Sequence, residues 1–425
     1  MTDEPALGWE SNRRVDHDTV FLIAVTVMAF IVPIFMIFPP LPVETSDALR
    51  QTHRKLGRPA HRSKLPSRST PEQQPQQAKL PTIKSLFIYP IKSCRGIELD
   101  RSRVLPTGLE HDRLFTFAQL KPMAGQSGRW ECLTQRQLPL LANVKVDVWL
   151  PDPSKKSREL GHSDARFLVV RFPWQAPGWR GTMHFLAAKL SRGLSASPEK
   201  QFILPLDFPS QEEIKARTYE ISHVKIWEDV VQVLNMSADL PPQLAMYLGA
   251  KHQLALFRSD PSSRRQVFRN IAAPEDTLGH ESVVDFQDGF PIHLLNLSSI
   301  QALESLIQKD KISGPPEYDE DDWKSVRFRR SGMPEESSVF TVTCHTVRCK
   351  LPNVDPATGV RHSVEPDRSL RKYRQIDDGA PRMGCLGMQL CPVFPNTGTP
   401  AQLESYVEAG MDVEVLKRGP HRYPG

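Results

Sequence analysis

From residue 20 to residue 38 the chain reads VFLIAVTVMAFIVPIFMIF, without one charged side chain. As a helix this stretch extends roughly 28 Å, close to the hydrocarbon thickness of a bilayer. It is apolar on every face, whereas a soluble helix keeps a polar side. The pattern predicts a transmembrane anchor over 20–38. A cleaved signal peptide is the alternative, but its apolar core is usually shorter and ends at small residues; here Pro39 and Pro40 follow. Pro33 is compatible with a membrane helix.

Beyond residue 80 the pattern changes to short alternations of apolar and polar residues. TIKSLFIYPIKS reads as a strand ending at Pro90, and ANVKVDVWL alternates through Val144, Val146 and Val148. FLVVRF, VKIWEDVVQVLN, VFTVTC and MDVEVLKRG are further strand candidates. Helices are few. One is predicted through PQLAMYLG with Gly249 as its stop. Another starts at Ser298, where Gln301 completes a capping-box pattern. Short strands and many turns predict a β-rich α+β fold in two parts, with a break near residue 250.

Composition supports this. The 38 Pro and 23 Gly favour turns over long helices, and the length of 425 residues allows two or three domains. A net charge of only +5 gives no overall nucleic-acid signature. Six scattered cysteines are too few for a disulfide scaffold and suit a reducing compartment. Residues 39–80 are basic and polar and read as a disordered linker. Before the apolar stretch, Arg13 and Arg14 are outnumbered by acids. After it come Arg50, Arg54, Lys55, Arg58, Arg62, Lys64 and Arg68. The positive side is the cytosolic side, which places the globular part in the cytosol.

The stretch TCHTVRCKLPNVDPATGVRH, Thr343 to His362, sets Arg348 beside Cys349 and follows them with a turn-rich run. An arginine close in space favours a thiolate, a soft metal ligand, although strand neighbours point to opposite faces. Taken alone, a single cysteine is more often a small buried hydrophobe. Cys344-x4-Cys349 and Cys385-x5-Cys391 are too widely spaced for a usual zinc knuckle. IYPIKSCRG ends a strand with Lys92, Ser93, Arg95 and Gly96, a loop able to hold a phosphate, and LEHDRLF adds Arg113. It is not a P-loop, and no nucleotide, hydrolase, zinc-protease or attached-haem motif occurs.

In this order, IYPIKSCRGIEL, GLEHDRLFTF, LTQRQLPLL, DGFPIHLLNLSSIQAL, VRCKLPNVDPATG, LRKYRQID, CLGMQL and AGMDVEVLKRG resemble the MOSC family of molybdenum-cofactor proteins. The likeness is to its membrane-anchored, amidoxime-reducing members and covers about residues 81 to 418. The resemblance implies a MOSC-associated β-barrel domain over 81–250 and a MOSC domain over 251–418, preceded by a tail over 1–19 and the anchor. It implies a molybdenum cofactor (Mo-molybdopterin), with Cys349 as metal ligand and catalytic residue. Lys92, Ser93, Arg113 and Asp288 match cofactor-binding positions, and Arg348 is taken with them. Gly289 and Phe290 depart from the Thr-Ser of animal relatives. The family strand resembling RFRPNI, expected before GPPEYDEDDW, has no counterpart here.

The activity implied is reduction of small N-hydroxylated substrates, N–OH to N–H, with electrons from NADH through cytochrome b5 reductase and cytochrome b5. The implied location is the mitochondrial outer membrane, facing the cytosol, without a nucleic-acid partner. Two alternatives stand beside it: a molybdenum-cofactor binding or sulfur-handling MOSC protein, and a cofactor-less scaffold that follows from the missing strand.

Overall fold

The computed structural model describes residues 16–37, 45–59, 62–63, 65, 80–123, 126–155, 164–194, 196–267, 282–308, 318–394 and 403–424. They fall into two compact units: Met1–Glu44 with Trp174–Glu199, and Thr45–Pro173 with Lys200–Gly425.

The first unit holds two helices. His17–Ile37 is long and apolar enough to cross a membrane by length and composition, and Pro33 lies inside it. Its one hydroxyl in the apolar run, Thr26, donates back to the Leu22 carbonyl at 2.8 Å, so no polar hydrogen is left facing hydrocarbon. The second helix, Trp179–Arg192, was not anticipated from the sequence.

The second unit is built of strands. A closed five-stranded barrel runs in the order Glu220–Ile226, Asp229–Asn235, Leu254–Ser259, Phe115–Met123 and Gln126–Cys132. Its core holds Ala118, Val224, Ile226, Val231, Val233, Ala255 and Phe257, strand positions that the period of two turns to one face, together with Phe286 from outside the strands. VKIWEDVVQVLN is therefore two strands, not one. The chain reverses at Trp227 and Glu228, where Trp227 takes φ 55°. A five-stranded sheet forms the other large element, in the order Ile292–Leu294, Gly384–Val393, Met333–Arg348, Trp323–Arg330 and Asp412–Arg418. Its core includes Phe328, Phe340, Val342, Met388, Leu390 and Val413. The two large elements are stitched by segments such as Arg101–Leu105, which pairs with Ser405–Glu408.

Two local expectations are corrected, and a third falls outside the described residues. Part of the expected linker is ordered: Thr45–Leu49 is helical and His53–Lys55 pairs antiparallel with Lys145–Pro151. The reason is His53, which is buried and bonds Ala165 O at 2.8 Å through Nε2. The helix of NLSSIQAL runs Leu297–Gln308 and is capped by Asn296, not Ser298. The Asn296 carboxamide oxygen accepts from Ser298 N at 3.0 Å. The position of the missing RFRPNI-like strand, residues 309–317, lies outside the described residues. By contrast, Pro242–Leu248 ends as expected, with Gly249 at φ 67° as its left-handed C-cap.

Candidate functional site

The strand Leu86–Ile88 delivers Tyr89 to Cys94 across the top of the barrel strand that starts at Phe115. Lys92 N donates to Phe115 O at 2.8 Å, Phe115 N to Pro90 O at 2.9 Å and Arg113 N to Tyr89 O at 2.8 Å. These bonds lock the IYPIKSC loop to the GLEHDRLF loop. Tyr89 N in turn donates to the buried Asp112 carboxylate at 2.7 Å, and Asp112 pairs with Arg113.

The third piece is anchored from inside the barrel. Phe286 is part of the barrel core, so its carbonyl is held in place and accepts from Lys92 Nζ at 2.7 Å. Two residues on, Asp288 Oδ1 receives the same ammonium at 2.6 Å and Trp227 Nε1 at 3.3 Å. Burial raises the Asp288 carboxyl, but Lys92 and then Arg113 and Arg136 outweigh it, and the net shift is well downward. Arg265, on a short strand of its own, reaches the carbonyls of Asp285, Gln287 and Asp288. Arg136 lies 4.7 Å over the Trp227 ring, closing the rim.

The fourth piece is the end of the Met333–Arg348 strand. Arg348 Nε donates to Leu386 O at 2.9 Å and its terminal nitrogen to His293 Nε2 at 2.7 Å. His293 is held neutral: burial comes first, and Arg348 and Arg113 add to it. Burial also lowers the Arg348 guanidinium, to about 10, with Cys349 acting in the opposite direction. Cys349 is half-buried, and Leu351 N donates to its sulfur at 3.4 Å.

The turn after Cys349 reaches back to the first loops. Asp355 holds it through Ala357 N at 2.8 Å and Thr358 Oγ1 at 2.9 Å. Arg361 donates to the carbonyls of Gln135 and Arg136 at 3.0 and 2.6 Å, and Gln135 Nε2 donates to Ser93 O at 2.8 Å. Lys92, Ser93, Arg113, Asp288, Arg348 and Cys349 therefore belong to one continuous network drawn from four separate stretches.

Two features mark the network as more than a set of solvated loops. Six non-glycine residues among those described have positive φ, and four build this region: Ser93 at 66°, His111 at 67°, Arg113 at 50° and Trp227 at 55°. Such conformations are costly for L residues and persist where the surroundings impose them. In addition, Arg136 Nε, Arg265 Nε and Gln287 Oε1 are buried without a protein partner. Burial pushes up the thiols of Cys94, Cys344, Cys385 and Cys391, the last two to about 11. Cys132 is also raised, by burial first.

Residues 80–171 match the MOSC N-terminal beta barrel domain. This segment is a MOSC N-terminal domain. The chain is 22% identical over 325 residues to mitochondrial amidoxime reducing component 2 of Rattus norvegicus, covering 73% of this chain and 77% of the relative. It is 23% identical over 320 residues to mitochondrial amidoxime-reducing component 1 of Mus musculus, covering 73% and 76%. Molybdenum cofactor sulfurase of Arabidopsis thaliana is 22% identical over 315 residues, covering 69% of this chain and 31% of the relative. The MOSC N-terminal domain contains the IYPIKSC and GLEHDRLF loops, so Lys92, Ser93 and Arg113 fall within the matched residues.

Sequence reasoning missed Tyr89, Asp112, Gln135, Arg136, Trp227, Arg265 and His293. Gln135 and Arg136 lay inside the quoted stretch LTQRQLPLL, and Asp112 inside GLEHDRLF, where a fixed match was a signal. Tyr89 lay likewise inside IYPIKSCRGIEL and His293 inside DGFPIHLLNLSSIQAL; nothing marked Trp227, which sits in ordinary apolar alternation.

Proposed function

We propose that this chain is a membrane-anchored molybdenum-cofactor oxidoreductase that reduces small N-hydroxylated substrates, N–OH to N–H. The observation that carries the reading is the half-buried Cys349 thiol at a strand end, followed by a turn that Arg361 and Gln135 tie to Ser93, next in the chain to the Lys92 that pairs with Asp288. The donor set fits an anionic, phosphate-bearing group with a soft metal. Lys92, Arg113, Arg136, Arg265 and Arg348 outweigh Asp112 and Asp288, and the unpartnered Arg136 Nε and Arg265 Nε are donors for which the protein supplies no acceptor. Cys349 would hold the metal, and Lys92, Ser93, Arg113 and Asp288, with Arg348, would hold the organic part.

When bound, the cofactor supplies the two-electron chemistry: N–OH, two electrons and two protons give N–H and water. The chain's own residues bind and orient. His293 is a neutral acceptor that fixes the Arg348 guanidinium. The Arg136–Trp227 pair covers Asp288 at the rim. The His17–Ile37 helix would anchor the protein, in the mitochondrial outer membrane and facing the cytosol. There electrons would come from NADH through cytochrome b5 reductase and cytochrome b5.

The test is the full chain in detergent or vesicles, produced in a host that makes the cofactor. Near-stoichiometric molybdenum, NADH-dependent amidoxime reduction with cytochrome b5 and its reductase, and loss of both metal and activity in Cys349→Ser are expected. Full activity in Cys349→Ser would overturn the assignment. A second reading, cofactor handling, is favoured by the similarity to molybdenum cofactor sulfurase; it would be carried by bound molybdenum without reductase activity. A folded chain without metal would point to a scaffold.

A further inference from the structure

A soluble helix turns its large apolar residues inward. The Trp179–Arg192 helix does the reverse. Trp179, Met183 and Leu186, spaced four and then three residues apart, share one face of the helix. All three are exposed, Trp179 at 74%. The opposite face carries Gly181 and Ala188, seven residues apart, and both are buried. Gly181 lies against the chain so tightly that a Cβ there would meet the Ala176 carbonyl. Its small-residue face is therefore buried, while Trp179, Met183 and Leu186 on the other face are solvent-exposed. Leu194, just past the Gly193 cap, is also exposed.

Two further observations say what covers this face. The helix belongs to the same compact unit as His17–Ile37, the helix long enough to cross a bilayer. Between 174 and 198 the chain carries Arg180, Lys189 and Arg192 and neither Asp nor Glu. Tryptophan, aliphatic anchors and basic residues without an acidic one in the same stretch are the composition of a helix that lies in a lipid interface.

We propose that the Trp179–Arg192 helix is a second membrane contact. It would lie in the headgroup region of an anionic leaflet, with Trp179, Met183 and Leu186 in the acyl boundary. This rests on the reading of His17–Ile37 as a membrane span. It goes beyond that reading because a spanning helix alone gives no reason for an exposed apolar face elsewhere in the unit.

The experiment uses the full chain reconstituted into vesicles of phosphatidylcholine and phosphatidylserine, some carrying bromines near the headgroup end of the acyl chains. The emission of Trp179 is obtained by subtracting the Trp179→Phe spectrum from that of the parent chain. Loss of most of that emission on bromination, and recovery of it in Met183→Ser/Leu186→Ser, are expected. A chain that floats with the vesicles but shows an unquenched Trp179 would overturn the proposal while leaving the anchor intact. If that unquenched Trp179 is blue-shifted and cross-links between chains, a second copy covers the face instead. A chain that does not float refutes the span and this contact together.

Discussion

Lys92 and Asp288 are 196 residues apart in sequence, yet Lys92 Nζ lies 2.6 Å from Asp288 Oδ1. The pair is lopsided. The lysine side chain is 6% exposed and the aspartate 56%. Asp288→Asn strips the counter-charge from a buried ammonium and leaves it two neutral acceptors, the Phe286 carbonyl and the new carboxamide oxygen. It should cost about 1–2 kcal/mol, discounted because the carboxylate is largely solvated. Lys92→Met removes the buried cation and leaves a carboxylate that water can reach, so it should change stability by less than Asp288→Asn does. The same Lys92→Met substitution should sharply reduce bound molybdenum and pterin. Urea unfolding and metal analysis of the two variants check this crossing of effects.

Arg348 and His293 give a second test. The imidazole accepts from a guanidinium that is otherwise held by Leu386 O. His293→Leu keeps the volume but leaves one guanidinium nitrogen without its acceptor, at a cost of about 1–2 kcal/mol. His293→Gln restores an acceptor and should recover much of that loss. Equal unfolding midpoints for the two variants would mean the hydrogen bond is not what matters.

Much of this was legible because it follows from local rules. The alternation around Val146 and Val148 gave a strand, and Gly249 gave a helix end. The fixed runs around Lys92, Arg113 and Cys349 pointed to the candidate site. What was hidden depends on tertiary context. VKIWEDVVQVLN alternates straight through its turn because Trp227 adopts a left-handed conformation without being Gly or Asn. The capping-box pattern at Ser298 lost to Asn296, one turn-forming residue earlier. His53 is buried by a strand some hundred residues away, so its stretch looked like linker. The Trp179–Arg192 helix escaped notice because its outward face is the apolar one.

Acid should weaken the fold through its histidines. Burial lowers His111, to about 4, and also lowers His293 and His421. In the unfolded chain each titrates near pH ~6.5. Above that value both states are neutral and the stability is fully present. As pH falls through the window from ~6.5 toward 4, the unfolded chain takes up protons that the folded chain refuses, and stability declines. Each imidazole contributes at most about 1.4 kcal/mol per pH unit. Asp112, raised by burial, works the other way and partly offsets this. Urea midpoints should therefore drop between pH 7 and pH 5. His111→Phe should reduce the slope if the volume is tolerated. A flat profile over that window would refute the assignment.

Gly387 lies under the site and allows no side chain. It has φ 80°, and a Cβ there would collide with Leu294 O and stand 2.9 Å from His293 Nε2. Two costs add in Gly387→Ala. The left-handed backbone conformation disfavours an L residue by about 1–3 kcal/mol, and the methyl group pushes on the strand that carries His293. The displaced ring is the acceptor for Arg348, so the effect should reach the cofactor end as well as the fold. Gly387→Ala should lower the thermal midpoint more than His293→Leu does. It should also reduce molybdenum content in the fraction that remains folded. Gly332→Ala is the control. That glycine has φ 80° as well, but a Cβ there meets nothing within 4 Å. It should show the backbone cost without the loss of metal, and equal metal loss in both variants would rule out the route through His293.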